Sequence, residues 1–193
     1  GTLCAACIAK PPRHDGIKAA VAYNDISRNV ALRLKYGGRI GLARIIANAL
    51  RRQVAELLPG TLITPVPLHW TRLWWRSFNQ SGLIAAELSK GGDTELVPDI
   101  LHRTRRTPLL RGLSPRERRE QVNGAFALNP KWQDRVKGRE IALVDDVYTS
   151  GATTDACVRL LKKAGAAKVV IYCWARVLPV GLVTAEPFDS VLT

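Results

Sequence analysis

Several residue types and patterns are scarce in this chain of 193 residues, and each scarcity excludes something. No apolar run approaches the roughly 18 residues that a membrane span needs. The first residues, GTLCAACIAK, contain no apolar core of the kind found in secretory signals, so we expect a cytoplasmic protein. Four cysteines suit a reducing compartment better than a disulfide scaffold. The absence of methionine predicts that Gly1 is not the native first residue.

Acidic residues are few relative to basic ones. There are 16 Asp and Glu against 29 Lys and Arg, which gives a net charge of +13. Such an excess attracts nucleic acid, phosphorylated metabolites or acidic lipid, although it also serves solubility alone. The charge is partly local, since seven arginines lie between His102 and Glu120. Apolar residues still make up 47% of the chain, which is enough for a folded core.

Apolar periodicity predicts strands that alternate with helices. Strands are predicted at residues 17–23, 61–66, 141–145 and 168–174, with a short one near Leu96. Helices are predicted at residues 27–35, 42–58 and 78–90, and from Thr154 to Gly165. This alternation predicts an α/β fold with a mostly parallel sheet flanked by helices. We expect Cys157 and Cys173 in its core.

The stretch IALVDDVYTSGAT, Ile141 to Thr153, places two aspartates where an apolar strand meets a turn of small residues. A helix N-terminus presents unpaired N–H groups and the positive end of a dipole, and glycine allows a ligand to approach the backbone closely. These properties predict a cradle for a phosphate group. Its residues would be Thr149, Ser150, Gly151, Ala152 and Thr153.

Two carboxylates beside a phosphate cradle would repel the phosphate unless they serve another partner. Asp145 and Asp146 suit sugar hydroxyls or Mg²⁺, a cation that prefers oxygen ligands. A ribose 5-phosphate combines these features. The alternative is a capped turn at a strand end, with small residues present for packing.

The same thirteen residues resemble the phosphoribosyl-pyrophosphate (PRPP) motif of type I phosphoribosyltransferases. TPVPLHWTRLWWRSFNQS, from Thr64 to Ser81, is similar to a stretch of the ComF (competence protein F) family. LKYGGR, TPLLRGLSPRERR and GAF resemble further ComF segments in the same order. The resemblance covers roughly Cys4 to Leu178. It implies a type I phosphoribosyltransferase fold with a flexible hood over the site.

The resemblance also implies roles for residues. Asp145 and Asp146 would hold the ribose 2- and 3-hydroxyls and help to place Mg²⁺, with the 5-phosphate on residues 149–153. The pyrophosphate would meet the turn and helix that contain Pro67, Leu68, His69, Arg72 and Arg76. His69 as a packing or capping residue and Arg72 as a solvated surface residue are the alternatives. The hood, at about residues 102–123, would contribute Arg106 and Arg111.

The chain ends are expected to lie outside the phosphoribosyltransferase-like domain at residues 17–179. By the resemblance, Cys4 and Cys7 are half of a zinc ribbon whose remnant is residues 1–16, and residues 180–193 form a tail. Two thiolates are half of a tetrahedral zinc site, so zinc is expected only with the missing half.

Three departures from the family pattern affect the expected pyrophosphate region and hood. Arg76-Ser77 stands where the family usually has Arg-Gly, Leu109-Leu110 where it has Pro-Gln, and Gln121 where it often has Asn. They bear on catalysis and on the acceptor more than on PRPP binding.

Two functions fit the sequence. The first is a ComF-like protein that binds PRPP with Mg²⁺, an accessory of DNA uptake in natural transformation that works with competence-machinery partners. No residue identifies an acceptor, so phosphoribosyl transfer stays an open expectation. The second is a single-stranded DNA-binding module with a regulatory or vestigial PRPP site. In WTRLWWR, Trp70, Trp74 and Trp75 are suited to stacking on bases, or to a core or interface.

Overall fold

A computed structural model of the chain describes residues 11–36, 38–55, 57–90, 92–107, 112 and 114–178, with the backbone alone at residues 72, 75, 76 and 115. The strands are β1 (Gly16–Ala22), β2 (Leu62–Pro65), β3 (Glu95–Leu96), β4 (Leu101–Arg103), β5 (Phe126–Leu128), β6 (Glu140–Tyr148) and β7 (Lys168–Arg176). The helices are α1 (Asp25–Tyr36), α2 (Leu42–Val54), α3 (Trp70–Arg76), α4 (Gln80–Leu88), α5 (Pro115–Val122), α6 (Gln133–Val136) and α7 (Ala152–Lys163). A 3₁₀ turn, Pro130–Trp132, precedes α6.

Five strands form one parallel sheet in the order β1-β7-β6-β2-β3. Strands β4 and β5 form a separate antiparallel pair. This arrangement confirms the predicted fold class, a mostly parallel sheet with helices packed against it. None of the helices in the described ranges has the length and apolarity that crossing a bilayer requires.

Strand β6 contributes to a hydrophobic core on each face of the sheet. Ile141 and Leu143 belong to the core that includes Leu161 of α7. Ala142 and Val144, which alternate with them, belong to the core that includes residues of α2 and α4. Because alternate side chains of a strand point to opposite faces, burial on both faces produces the unbroken apolar run seen in the sequence. Cys157 and Cys173 are buried thiols, as predicted.

The acidic pair lies within β6, so the prediction that this strand ends at Asp145 is wrong. The strand continues to Tyr148 because β7 runs beside it as far as Arg176. On the other side, β2 ends at Pro65, which is paired with Val144. Asp145, the next residue of β6, therefore has no pairing partner on β2.

Part of the predicted hood has regular secondary structure. Helix α5 begins with a capping box, in which the Ser114 hydroxyl accepts a hydrogen bond from the Glu117 N–H (3.3 Å). In return the Ser114 N–H donates to the Glu117 carboxylate (2.7 Å). The letters SPRE at residues 114–117 are a recognised helix start, with proline at the first helical position. This stretch was assigned to a flexible hood, and the helix that this signal predicts was not proposed.

Candidate functional site

Asp145 is partly buried at the carboxyl edge of the sheet. Its Oδ1 accepts hydrogen bonds from the Ser81 hydroxyl (3.2 Å) and from the Asp146 N–H (2.9 Å). Burial, followed by the neighbouring charge of Asp146, raises the pKa of Asp145 to about 7. Its carboxyl group therefore gains or loses a proton near neutral pH, unlike an ordinary aspartate.

Asp146 is only 8% exposed and forms an ion pair with Lys35 of α1. The distance from Lys35 Nζ to Asp146 Oδ2 is 2.6 Å, and Asp146 Oδ1 accepts a hydrogen bond from the Val147 N–H (2.8 Å). Lys35 is the lysine of LKYGGR, a segment to which the sequence analysis assigned no role. The resemblance of this segment to the family was the only signal for it in the sequence.

The turn after β6 has the properties expected of an anion cradle. Gly151 adopts φ +75° and precedes α7 without any side-chain cap. The Asp155 N–H donates to the Gly151 carbonyl (2.7 Å), so the amides of residues 152–154 precede the helical hydrogen-bond pattern. A pocket of about 50 Å³ adjoins this turn. We call it the loop pocket, lined by Arg118, Asp145 and residues 147–154.

Gly151 could not be replaced without a shift in its surroundings. A Cβ atom at this position would overlap the Tyr148 hydroxyl and would lie 2.9 Å from Tyr148 Cζ. The positive φ angle adds backbone strain for any other residue. The close Tyr148 ring and the positive φ angle together explain why this position is a glycine.

The predicted pyrophosphate turn lies beside the acidic pair. The Val66 N–H donates to the Val144 carbonyl (2.8 Å), one residue before Asp145. Pro67 is buried and Leu68 partly buried. His69 is 6% exposed, and its Nδ1 accepts a hydrogen bond from the Thr71 N–H (3.3 Å) at the start of α3. This geometry supports the capping alternative for His69.

The FNQS letters connect this turn to Asp145. Asn79 Nδ2 donates to the Val66 carbonyl (3.0 Å), and Asn79 Oδ1 accepts from the Ser81 N–H (3.1 Å) to cap α4. Ser81 in turn donates to Asp145. Asn79 and Ser81 are therefore positioning residues, whose roles the sequence analysis did not assign.

Some predicted site residues are placed only in part. Helix α3 contains both Arg72 and Arg76, whose side chains lie outside the description, as do Arg111, Cys4 and Cys7. Arg106 is exposed. The hood contact that the structure describes comes from Arg118, whose Nη1 lies 3.4 Å from Thr149 Oγ1. The capping box of Ser114 and Glu117 is visible in the sequence, and it would have predicted a helix that contains Arg118.

Ser77 ends α3 with φ +63°, and no other non-glycine residue in the described ranges has a positive φ angle. Glycine adopts this conformation without strain. The Arg-Gly pattern that the family usually shows here therefore has a backbone explanation. This departure concerns the end of a helix, whereas the sequence analysis attached it to anion binding.

The donor set at the loop pocket suits a hard cation that shares its ligands with a substrate. Asp145 and Asp146 offer carboxylate oxygens, and Thr149 and Ser150 offer hydroxyls nearby. Within the described ranges, no group of three or more His, Cys, Asp or Glu side chains could hold a metal by itself. The residues fit Mg²⁺ if phosphate or hydroxyl oxygens of a ligand complete its shell.

Comparison with known proteins gives the family. No family model matches the chain. It is 31% identical to Competence protein F of Haemophilus influenzae over 180 residues, which are 90% of this chain and 78% of that protein. It is 33% identical to DNA utilization protein YhgH of Escherichia coli O157:H7 over 182 residues, covering 91% and 78%. Competence protein ComFC of Bacillus subtilis is 26% identical over 159 residues, covering 79% and 60%.

Among solved structures, a hypoxanthine phosphoribosyltransferase from Staphylococcus aureus is similar with a TM-score of 0.45 and 13% identity, over 72% of this chain and 74% of that one. The fold and site thus define an α/β protein with an acidic pair and a glycine turn at the carboxyl edge of a parallel sheet. The chain belongs to the Competence protein F (ComF) family.

Proposed function

We propose that this protein binds PRPP together with Mg²⁺ at the loop pocket. The observation that carries the proposal is the position of Asp145, the first residue of the acidic pair, in the same pocket as the uncapped first turn of α7. Amides 152–154 supply N–H donors for the 5-phosphate, helped by the positive end of the helix dipole. Asp145 and Asp146 accept hydrogen bonds from the ribose hydroxyls.

The remaining groups of the site would act on the pyrophosphate end of the ligand. The turn at residues 67–69 and the arginines of α3 lie after Val66, which is hydrogen-bonded next to the acidic pair. Bound Mg²⁺ would neutralise the charge that builds up on pyrophosphate when it leaves ribose C1. Arg118 already contacts Thr149, and it is the hood residue we assign to the phosphate.

Calorimetric titration of PRPP with Mg²⁺ tests this proposal. The wild-type protein should bind, and Asp145→Asn with Asp146→Asn should bind at least about a hundredfold more weakly, because the ribose and cation contacts are lost. The matched control is Asp93→Asn with Asp134→Asn, which neutralises two exposed aspartates elsewhere. Equal affinities for the two double variants would refute the assignment.

For the biological role, we propose an accessory function in DNA uptake and use in the cytoplasm. The names of two relatives, Competence protein F and DNA utilization protein YhgH, support it. A phosphoribosylated acceptor and released pyrophosphate, detected after incubation with Mg–PRPP and candidate acceptors, would add transferase activity to binding. Its absence across nucleobases and amines would favour a regulatory PRPP site.

A single-stranded DNA surface is the second candidate. Trp70 and Trp74, four residues apart on α3, are 69% and 84% exposed. The core alternative for these two residues is therefore wrong, whereas an interface with a partner fits. Exposed tryptophans stack on unpaired bases, and the net charge of +13 attracts the phosphates.

Fluorescence anisotropy with labelled oligo-dT across a salt series tests this second candidate. Binding should weaken steeply with salt. Trp70→Ala with Trp74→Ala should weaken it at least about tenfold, because base stacking contributes roughly 1–3 kcal/mol for each base. Ile26→Ala, which removes an exposed apolar side chain on α1, is the control. Absence of binding at ~50 mM salt would exclude this function.

A further inference from the structure

A second and larger cavity lies next to the loop pocket. Its volume is about 520 Å³, within the range typical of small-molecule sites. We call it the arginine cavity. Three parts of the chain form its described lining, namely residues 11–14, the end of α5 with Arg119, Glu120, Val122 and Asn123, and Tyr148 with Ala152, Asp155 and Arg159 of α7.

Three guanidinium groups give the cavity its positive charge. Arg13, Arg119 and Arg159 are all exposed, and no carboxylate of the described residues forms an ion pair with them. Glu120 also lines the cavity, but its carboxylate is paired with Arg116 (2.9 Å). Asp155 is the other carboxylate in the lining, so three guanidinium groups stand against two carboxylates, one of them paired with Arg116. Exposed guanidinium groups that form no ion pair are suited to phosphate oxygens, which they bind in bidentate geometry.

Two rings supply a different kind of surface in the same cavity. His14 and Tyr148 pack edge to face, with ring centroids 6.4 Å apart. Burial, followed by the charge of Arg176, lowers the pKa of His14, so its imidazole is neutral at pH 7. The Arg176 guanidinium lies over one face of the Tyr148 ring, 5.9 Å from its centroid, so a planar base would pack against the imidazole and the rest of the phenol ring. Pro11, Pro12 and Val122 extend the apolar surface.

We propose that the arginine cavity binds a nucleotide, with its phosphate at the three guanidinium groups and its base against the His14 and Tyr148 rings. The cavity adjoins the loop pocket through Tyr148 and Ala152, but the phosphate and base contacts proposed here use neither the acidic pair nor the amides of the turn. The same chemistry is offered by a free mononucleotide and by a nucleotide within a single strand. Probes of both kinds separate these sources.

The test compares two charge-reversed variants of the full chain. Arg119→Glu with Arg159→Glu alters the cavity, and Arg44→Glu with Arg52→Glu makes the same charge change on exposed positions of α2. Thymidine 5′-monophosphate is titrated calorimetrically and labelled (dT)10 by anisotropy. The cavity variant should bind at least about tenfold more weakly than the control, because phosphate contacts through arginine are lost.

Each outcome decides the proposal. If the cavity variant binds both probes more weakly than the control, the cavity accepts free mononucleotides and nucleotides within a strand. If it binds only (dT)10 more weakly, the cavity binds nucleotides within a strand. Equal binding by the two variants overturns the proposal. The milder Arg159→Gln, with an unchanged melting curve, covers the case in which charge reversal disturbs folding.

Two further arms separate the arginine cavity from the loop pocket. Asp145→Asn with Asp146→Asn should retain mononucleotide binding within about twofold, since it leaves the guanidinium groups in place. Saturating PRPP should leave a bound mononucleotide in place, and complete displacement would put the mononucleotide in the loop pocket and overturn the proposal. If PRPP itself fails to bind, the comparison of arginine variants still stands.

Discussion

The loop pocket and the arginine cavity share Tyr148 and Ala152 but differ in size and origin. The loop pocket is about 50 Å³ and comes mainly from Asp145 and the eight consecutive residues 147–154, whereas the arginine cavity is about 520 Å³ and joins three distant parts of the chain. Arg118 lines the first and Arg119 lines the second. One helix, α5, thus contributes neighbouring arginines to both.

The two sites also handle charge differently. At the loop pocket the carboxylates are withdrawn from solvent, and their charge is balanced by Lys35 and by a raised pKa at Asp145. At the arginine cavity the guanidinium groups stay exposed and keep their charge at any physiological pH. The difference suggests that ligand binding at the first site depends on pH and on cations, whereas binding at the second depends mainly on salt.

The largest expected effect is at Gly151. Gly151→Ala should lower the free energy of unfolding by about 3 kcal/mol, because left-handed strain adds to the overlap with Tyr148. It should also weaken PRPP binding far more than mononucleotide binding. Urea unfolding measures the first effect and calorimetry the second.

Gly138→Ala is the matched control for Gly151→Ala. Gly138 has φ +72°, and a Cβ there would meet nothing within 4 Å. The control should therefore cost only the backbone strain, about 1 kcal/mol. Equal losses for the two variants would remove the Tyr148 contact from the explanation.

The next effect concerns pH. A pKa of about 7 at Asp145, against an ordinary 3.8, means that the folded protein binds this proton more tightly than the unfolded chain does. The stability that this proton contributes is present below the ordinary pKa and is lost as pH rises toward the folded value. Without metal, in EDTA, the free energy of unfolding of wild type should therefore fall relative to that of Asp145→Asn as pH rises. Between pH 5 and pH 8 the difference should change by about 2 kcal/mol in favour of the variant.

The arginine cavity supplies the contrast for that measurement. Arg119→Gln with Arg159→Gln removes charges that do not titrate in this range, so its stability relative to wild type should be the same at pH 5 and pH 8. If the stability of wild type and of Asp145→Asn changed with pH in parallel, the pKa of Asp145 would not be raised.

Lys35→Gln should have a moderate effect. It leaves the mostly buried Asp146 carboxylate without its partner, at a cost of about 1–2 kcal/mol in the free energy of unfolding. Lys35→Arg should recover most of this loss. Lys90→Gln breaks an exposed pair with Glu87 of the same length, 2.6 Å, and should cost less than about 0.5 kcal/mol. Denaturant titration measures the free energy of unfolding of the three variants. If Lys35→Gln lost no more than Lys90→Gln, the pair between Lys35 and Asp146 would not stabilise the fold more than an exposed pair does.

The smallest expected effect is a gain at Ser77. Ser77→Gly should raise the free energy of unfolding by about 0.5 kcal/mol, since relief of left-handed strain slightly exceeds the added flexibility of the unfolded chain. Thermal unfolding detects it. PRPP affinity should stay unchanged. A change in affinity would mean that Ser77 takes part in anion binding.

The residues of the predicted phosphate cradle could be proposed from the sequence because they are neighbours along the chain. An apolar run, two acids and a glycine turn before a helix each have local physical consequences, and the structure places them at one sheet edge. The extent of β6 was harder to predict. Asp145 to Tyr148 are polar or mixed in character, and they stay in the strand because β7 pairs with them.

Other site residues depend on contacts between distant segments. Lys35 reaches Asp146 from α1, and Ser81 reaches Asp145 from α4, across separations that no periodic pattern encodes. The capping role of His69 likewise depends on the fold, since the resemblance assigned this residue to pyrophosphate, and its ring accepts a hydrogen bond at the start of α3.

By itself the sequence determined the strand–helix alternation, the glycine turn before α7 and the presence of an acidic pair. Only the tertiary structure decided that Lys35 balances Asp146, that Asp145 is held by Ser81 with a raised pKa, and that arginines from separate segments surround one cavity. Local patterns depend on neighbours along the chain, but burial and charge pairing depend on which segments the packed core brings together.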